Sequence, residues 1–163
     1  MHALTERQIR RSFVNCSRGE ATALTLPPLG AQPWEDREFL GWRDPRAPLR
    51  GYAVLWREDE PVGIALRAAE SRMSGRSSAM CLLCQSTQSA ADVSLFTARR
   101  AGAAGRNGNT VGQYVCADLG CSGRVRAEIP PWLRERDPAE VVAERAGELR
   151  GRLDAFVDHV LAG

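Results

Sequence analysis

Four of the chain's five cysteines fall in two close pairs, Cys81 with Cys84 in CLLC and Cys116 with Cys121 in CADLGC, with 31 residues between the pairs. Four thiolates make the complete ligand set of one tetrahedral zinc ion. A CxxC knuckle grips one side of such a metal, and a second pair held across a hairpin closes the other. Two other chemistries use paired cysteines. Disulfides belong to secreted chains, and the opening MHALTERQIRR has no apolar stretch of the kind a secretory leader needs, so a reducing cytoplasm is the expected setting. A thioredoxin-like redox pair would account for one CxxC and leave the distant pair unexplained. The spacing therefore favours one structural Zn2+ on Cys81, Cys84, Cys116 and Cys121. With every position taken by sulfur, no water can sit on the ion, and it would hold the fold rather than act as a Lewis acid.

Little else in the chain offers catalysis. There are two histidines, His2 at the start and His159 near the end, and neither is close to the cysteines in sequence. The His-x-Glu…Pro-Cys-x-x-Cys pattern of zinc deaminases is absent. Gly102, Gly105, Gly108 and Gly112 lack the lysine of a phosphate-binding loop and are spaced for a hairpin tip. Cys16 has no nearby partner and sits at an apolar spacing, which marks a buried free thiol. No catalytic residue is assigned, and a binding module is expected in place of an enzyme.

The elements that must position the cysteines read as an α+β chain. Thr5 and Gln8 form a capping box that opens a helix over about residues 5–17, with Ile9, Phe13 and Cys16 on one face. Residues 25–50, crowded with Pro and Trp, predict an irregular packed segment whose rings plug the core. Strands over 51–57 and 62–68 follow. Tyr52, Val54 and Trp56 alternate on one and Val62, Ile64 and Leu66 on the other, the pattern of a hairpin packed on one side. A Ser-rich loop over 70–79 leads into the knuckle. A short strand at Val93–Phe96, a mobile turn over 102–109 centred on Asn107-Gly108, and a return strand over 110–116 complete a second hairpin. Knuckle, hairpin, cysteine pair is the order of a treble-clef zinc finger, here spanning 79–127. Its last pair would open a short helix over 117–126, or a zinc-ribbon-like ending. Asp137, Pro138 and Glu140 start a terminal helix over about 137–161. Its stripe of Val142, Leu149 and Phe156 with Ala146, Leu153 and Val160 suits packing across its own domain better than a coiled-coil seam.

At 163 residues, 44% of them hydrophobic, the chain suits one domain, 1–163, with a sizeable core. Mean hydropathy is −0.31, and no apolar run reaches the length of a membrane span. All 22 basic residues are arginine, which reads as genomic bias rather than as a binding device. Net charge is 0 over residues 1–70, +5 over 71–127 and −3 over 128–163. The surplus of Arg72, Arg76, Arg99, Arg100, Arg106, Arg124 and Arg126 is expected around the metal, where part of it offsets a cluster of formal charge about −2.

The runs PWEDREFLGWRDPRAP, RGYAVLW, VGIALRAAE, MCLLCQ, DVSLFTARRAGAAGRNGNTVGQYVCADLGCS and GRVR resemble the zinc-finger domain of the FusB-type elongation-factor-G-binding proteins, a fusidic-acid-resistance family. The similarity extends over nearly all of residues 3–127 and is most specific at FLGWRDP and GQYVCADLGC. It implies a treble-clef zinc domain that binds elongation factor G and helps it leave the ribosome. It also implies zinc ligands at Cys81, Cys84, Cys116 and Cys121, and candidate partner contacts at Tyr114 and Phe96. Two departures bear on drug resistance: the helical N-terminal domain of the resistance proteins has no counterpart here, and Val111 stands where a lysine is expected. The competing expectation is a module for RNA or the ribosome that uses Arg99, Arg100 and Arg106, with Arg72 and Arg76, on phosphates. A monomer in the cytoplasm is expected on either reading.

Overall fold

The computed structural model describes residues 1–127 and 129–162. Helix α1, Glu6–Ser12, opens on the expected reciprocal cap: the Gln8 amide donates to Thr5 Oγ1, and Gln8 Oε1 accepts from the Thr5 amide. The helix stops short of residue 17 because Phe13 turns extended to meet Gly63, and the Val14 amide donates to the Gly63 carbonyl. A second capping box, Ser17 with Glu20, then starts α2, Arg18–Ala23. Arg10 reaches from α1 to donate to the carbonyls of Ala21, Thr22 and Leu24, satisfying the end of α2 that its own backbone leaves open.

Residues 25–39 are irregular, as the prolines dictate, with single 3-10 turns at Leu29–Ala31 and Trp34–Asp36. The tail of the same Pro/Trp-rich segment forms a strand that the sequence reading did not separate from it, β1, Leu40–Asp44. Then come β2, Ala47–Arg57, and β3, Glu60–Ala68, joined at Glu58-Asp59 with Glu58 at φ 53°. A small ribbon of β4, Ser78–Met80, and β5, Thr87–Ser89, flanks the first cysteine pair. The second hairpin is β6, Val93–Arg99, and β7, Thr110–Cys116. Its connection is ordered: one helical turn, α3, Gly102–Arg106, enters through Gly102 at φ 65° and leaves through Gly108 at φ 88°. Asn107 keeps a negative φ, so only the glycine of the Asn-Gly pair uses the left-handed region.

The main sheet runs β1-β2-β3-β6-β7, and every neighbouring pair is antiparallel. Its register corrects the one-sided hairpin. Tyr52 faces Ala65 and Val54 faces Gly63, whereas Val62 and Ile64 face Leu55 and Ala53. The two apolar series therefore lie on opposite faces, and the sheet is a middle layer. One face packs Leu40, Trp42, Tyr52 and Val54 against Leu4, Ile9 and Leu24. The other packs Ala53, Leu55, Ile64, Leu66, Phe96 and Val115 against the cysteine loops and the terminal helix.

That helix is α5, Pro138–Leu161, capped by Asp137, which accepts from the Ala139 amide. It lies across its own domain through Val141, Leu149, Leu153, Phe156, Val157 and Val160, with Val141 inward where the stripe expected Val142. No helix among the described residues is long and apolar enough to cross a membrane.

Candidate metal centre

Two loops bring the sulfurs together. In the first, the Gln85 amide donates back to the Cys81 carbonyl at 2.8 Å and the Cys81 amide to the Ser86 carbonyl at 3.1 Å, with Gln85 at φ 55°. In the second, the Leu119 amide donates to the Cys116 carbonyl at 2.9 Å with Leu119 at φ 59°, and Cys121 is the first residue of α4, Cys121–Ala127. The ending is thus the helical one, with a ligand at a helix N-terminus.

All four cysteines are buried and their sulfurs lie within 4.8 Å of one another. Across the cluster, Cys81 Sγ is 3.7 Å from Cys121 Sγ and Cys84 Sγ is 3.5 Å from Cys116 Sγ. A disulfide needs about 2.05 Å, so none of these contacts is one. A regular tetrahedron with Zn–S bonds of about 2.3 Å has edges of about 3.8 Å, which these separations approach. The cross pairing, one sulfur from each loop, is that of a metal cage. Hydrogen bonds from Cys116 and then Cys121 hold the Cys81 thiol down to about 7 and hold Cys84 lower still, while Cys121 is pushed up by Cys116 and its other neighbours. Sulfurs this close cannot all ionise unless a cation sits among them; a divalent ion lets them.

A polar chain braces the cage from outside. Gln88 Nε2 donates to Cys116 Sγ at 3.2 Å, Arg124 Nε donates to Gln88 Oε1 at 3.0 Å, and Arg124 Nη1 donates to Asp118 at 2.8 Å. Ser86 Oγ lies 3.1 Å from Cys84 Sγ. Sequence reasoning missed Gln88. Its only signal was its place two residues after Ser86, at the middle of β5.

The FLGWRDP run, one of the two most specific stretches of the resemblance, supports the cage from β1. A Cβ on Gly41 would lie 2.6 Å from the Leu119 carbonyl oxygen, so only glycine lets the second cysteine loop rest on β1. Arg43 lies over the Phe96 ring, 5.1 Å from its centroid, and donates to the Ala117 carbonyl at 2.9 Å. Asp44 is buried and accepts from the amides of Arg46 and Thr25. From α5, Arg152 donates to the Leu83 carbonyl and Arg145 to that of Val125, tying the first cysteine loop and α4 to the terminal helix.

A profile of the FBP C-terminal treble-clef zinc-finger family matches residues 8–160. The chain belongs to that family. Its four cysteines hold one structural zinc ion, the role for which the cage is shaped. Among solved structures, the chain is similar to the fusidic acid resistance protein FusC, with a TM-score of 0.56 and 19% identity over 75% of this chain. That likeness is one of fold, and the chain spans 52% of the FusC chain. No curated protein matches.

The remaining expected contacts separate. Phe96 is 1% exposed and is a core ring, not a surface group. Tyr114 is 44% exposed, and its carbonyl accepts from the amide of Leu82, itself 42% exposed, with Met80 nearby on β4 at 47%. These give the finger an apolar, solvent-facing edge. Val111 packs against the core. Of the expected arginines, Arg124 reaches the cage, through Gln88, and the basic surplus as a whole does not gather there. Arg124 and Arg126 are paired with Asp118 and Glu38, and Arg72 and Arg76 are exposed in the loop before β4. Arg99, Arg100 and Arg106 lie at the far end of the β6–β7 hairpin. Cys116 pairs with Val93 and Thr110 with Arg99, so about 20 Å of strand separates that tip from the cage. Arg100 donates to the Ala162 carbonyl, while Arg99 and Arg106 are exposed. Cys16 is half-buried, its thiol pushed up to about 11, chiefly by burial.

Proposed function

We propose that this chain is a zinc-stabilised docking module, not an enzyme, that binds elongation factor G in the cytoplasm as a monomer and promotes the factor's release from the ribosome. Membership of the zinc-finger family supports the partner, and the exposure of Tyr114 is the single observation that carries the surface. An exposed tyrosine flanked by Leu82 and Met80 has the makings of an interface centre, since aromatic and methionine side chains are enriched there. The zinc itself touches no partner. It fixes the two loops so that Leu82 and Tyr114 stay side by side.

Titration calorimetry of the zinc-loaded chain against purified elongation factor G tests this reading. Saturable binding is expected, with Tyr114→Ala weakening it by at least about tenfold, the loss of an anchor worth more than about 1 kcal/mol. Absence of binding would remove the reading, and equal binding by Tyr114→Ala would move the interface elsewhere. The exposed arginines of the hairpin tip favour a second reading, contact with RNA or the ribosome. That contact would weaken steeply with salt, whereas docking centred on Tyr114 would respond weakly.

A further inference from the structure

The α1–α2 layer covers only part of its face of the sheet, and where it ends a cavity of about 210 Å3 opens, lined by Arg50, Arg67, Arg99, Glu20, Cys16 and Thr110 among others. The register makes this arrangement unusual. Arg50 lies directly opposite Arg67 on β2 and β3, Arg67 lies opposite Thr97 on β6, and Arg99 is the next residue of β6 on that same face. Like charges placed directly opposite across two strands destabilise a sheet. Relief from within the chain is partial. Arg67 pairs with Glu70 at 3.0 Å on the open surface, and among the described residues no carboxylate lies within ion-pair distance of Arg50 or Arg99. Glu20 caps α2, accepting from the Ser17 amide at 2.8 Å, and that bond together with Arg99 and Arg50 holds its carboxyl below the usual range, so one carboxylate serves both the cap and the two arginines. Three guanidiniums against Glu20 in the lining, with Arg67 also paired to Glu70, leave a formal surplus of +1.

We propose that this cavity binds the terminal phosphate of a small phosphate monoester. Such a group carries about −1.5 to −2 charges at neutral pH and offers three acceptor oxygens, and guanidinium forks match phosphate geometry. The volume is below the roughly 300–1,000 Å3 of pockets that enclose whole drug-sized ligands, so the phosphate enters and the organic part projects to solvent. A polynucleotide backbone is a poorer fit. It presents single charges in a row, whereas a terminal dianion concentrates its charge in the one cavity that Arg50, Arg67 and Arg99 line. The neutral Cys16 thiol in the wall adds no opposing charge and forms no bond with the ligand. The site lies toward the other end of the β6–β7 hairpin from Tyr114, on the same face, where Thr97 is opposite Gly112 and Arg99 opposite Thr110.

Amide chemical-shift titrations of the zinc-loaded full chain, at constant ionic strength, test the proposal with four probes: ribose 5-phosphate, inorganic phosphate, dimethyl phosphate, and a short oligoribonucleotide lacking terminal phosphates. Saturable shifts at residues 50–52, 65–67 and 97–99 are expected with the first two probes. Binding of the monoanionic dimethyl phosphate should be at least about tenfold weaker. Arg50→Gln and Arg99→Gln should each lower affinity for ribose 5-phosphate by about tenfold, and the distant Arg76→Gln should not. In phosphate-free buffer Arg50→Gln should melt no lower than the native chain, because it removes a like-charge pair. Shifts no larger than those from chloride, equal loss in Arg76→Gln, or tighter binding of the oligonucleotide than of the monoester would each overturn the proposal. Should a variant fail to fold, the comparison of monoester with diester on the native chain decides.

Discussion

At the scale of the residue, the metal centre is more than its four sulfurs. Gln88 donates to Cys116 Sγ and is itself fixed by Arg124, which is held in turn by Asp118. A bonded thiolate is oriented and its charge is partly relieved, so loss of the bond costs metal affinity without removing a ligand. Groups in this position typically contribute about 10–100-fold. Gln88→Ala is therefore expected to bind one zinc with affinity lower by about that factor, measured by competition with a chromogenic chelator, while keeping a native circular dichroism spectrum at saturating metal. Unchanged affinity would mean that the Gln88 contact is incidental. The sulfurs were legible because cysteine is scarce and its spacing is chemically meaningful. Gln88 was not, because a glutamine four residues past a knuckle resembles any polar residue on a short strand.

At the scale of the element, the sequence showed periodicity and caps well and layering poorly. The Thr5–Gln8 box, the Asp137 cap and both hairpins stand where the pattern put them, because each is a local matter of a few side chains and the nearest backbone. Ser17-Arg18-Gly19-Glu20 carries the same capping signature as Thr5–Gln8, so the start of α2 is legible in the sequence just where the helix expected over 5–17 ends. β1 was obscured by the prolines around it, and what makes it a strand is the partner it finds in β2. The two-sided burial of β2–β3 depends on register, and a shift of one residue sends a whole apolar series to the other face. Gly41 shows how element and site are coupled, for its missing Cβ is the space into which the second cysteine loop settles. Gly41→Ala is expected to cost about 1–3 kcal/mol or more through overpacking. Gly147→Ala, on the open side of α5 with nothing within 4 Å, should instead gain about 0.5–1 kcal/mol. Urea unfolding of the two variants checks the contrast, and equal effects would mean that the Leu119 loop yields freely.

At the scale of the whole molecule, the zinc cage is built into the core rather than appended to it. Cys81, Cys84, Cys116 and Cys121 belong to the same buried cluster as Leu55, Ile64, Phe96, Leu153 and Val160, so removing the ion leaves mutually repelling or protonated sulfurs under the main packing layer. The other layer, with Leu40, Trp42 and Val54, never touches the metal. Val54 and Leu55 are nonetheless consecutive residues of one strand, and neither layer can dissolve without the sheet between them. Chelation should therefore melt both layers in one step. Far-ultraviolet circular dichroism follows the sheet and α5, while the change in tryptophan fluorescence follows the distant layer, where Trp34, Trp42 and Trp56 pack and which the already exposed Trp132 does not join. The two signals are expected to change at the same chelator concentration. Protons compete with zinc for the sulfurs, and metal-bound thiolates titrate below the free-cysteine value of about 8.5. The stability they confer is thus present above that value and is lost as the pH falls, so the shared midpoint should move to lower chelator concentration on acidification. A tryptophan signal that stayed native while the circular dichroism collapsed would show two independent layers and break the argument that a single sheet transmits the loss of the metal.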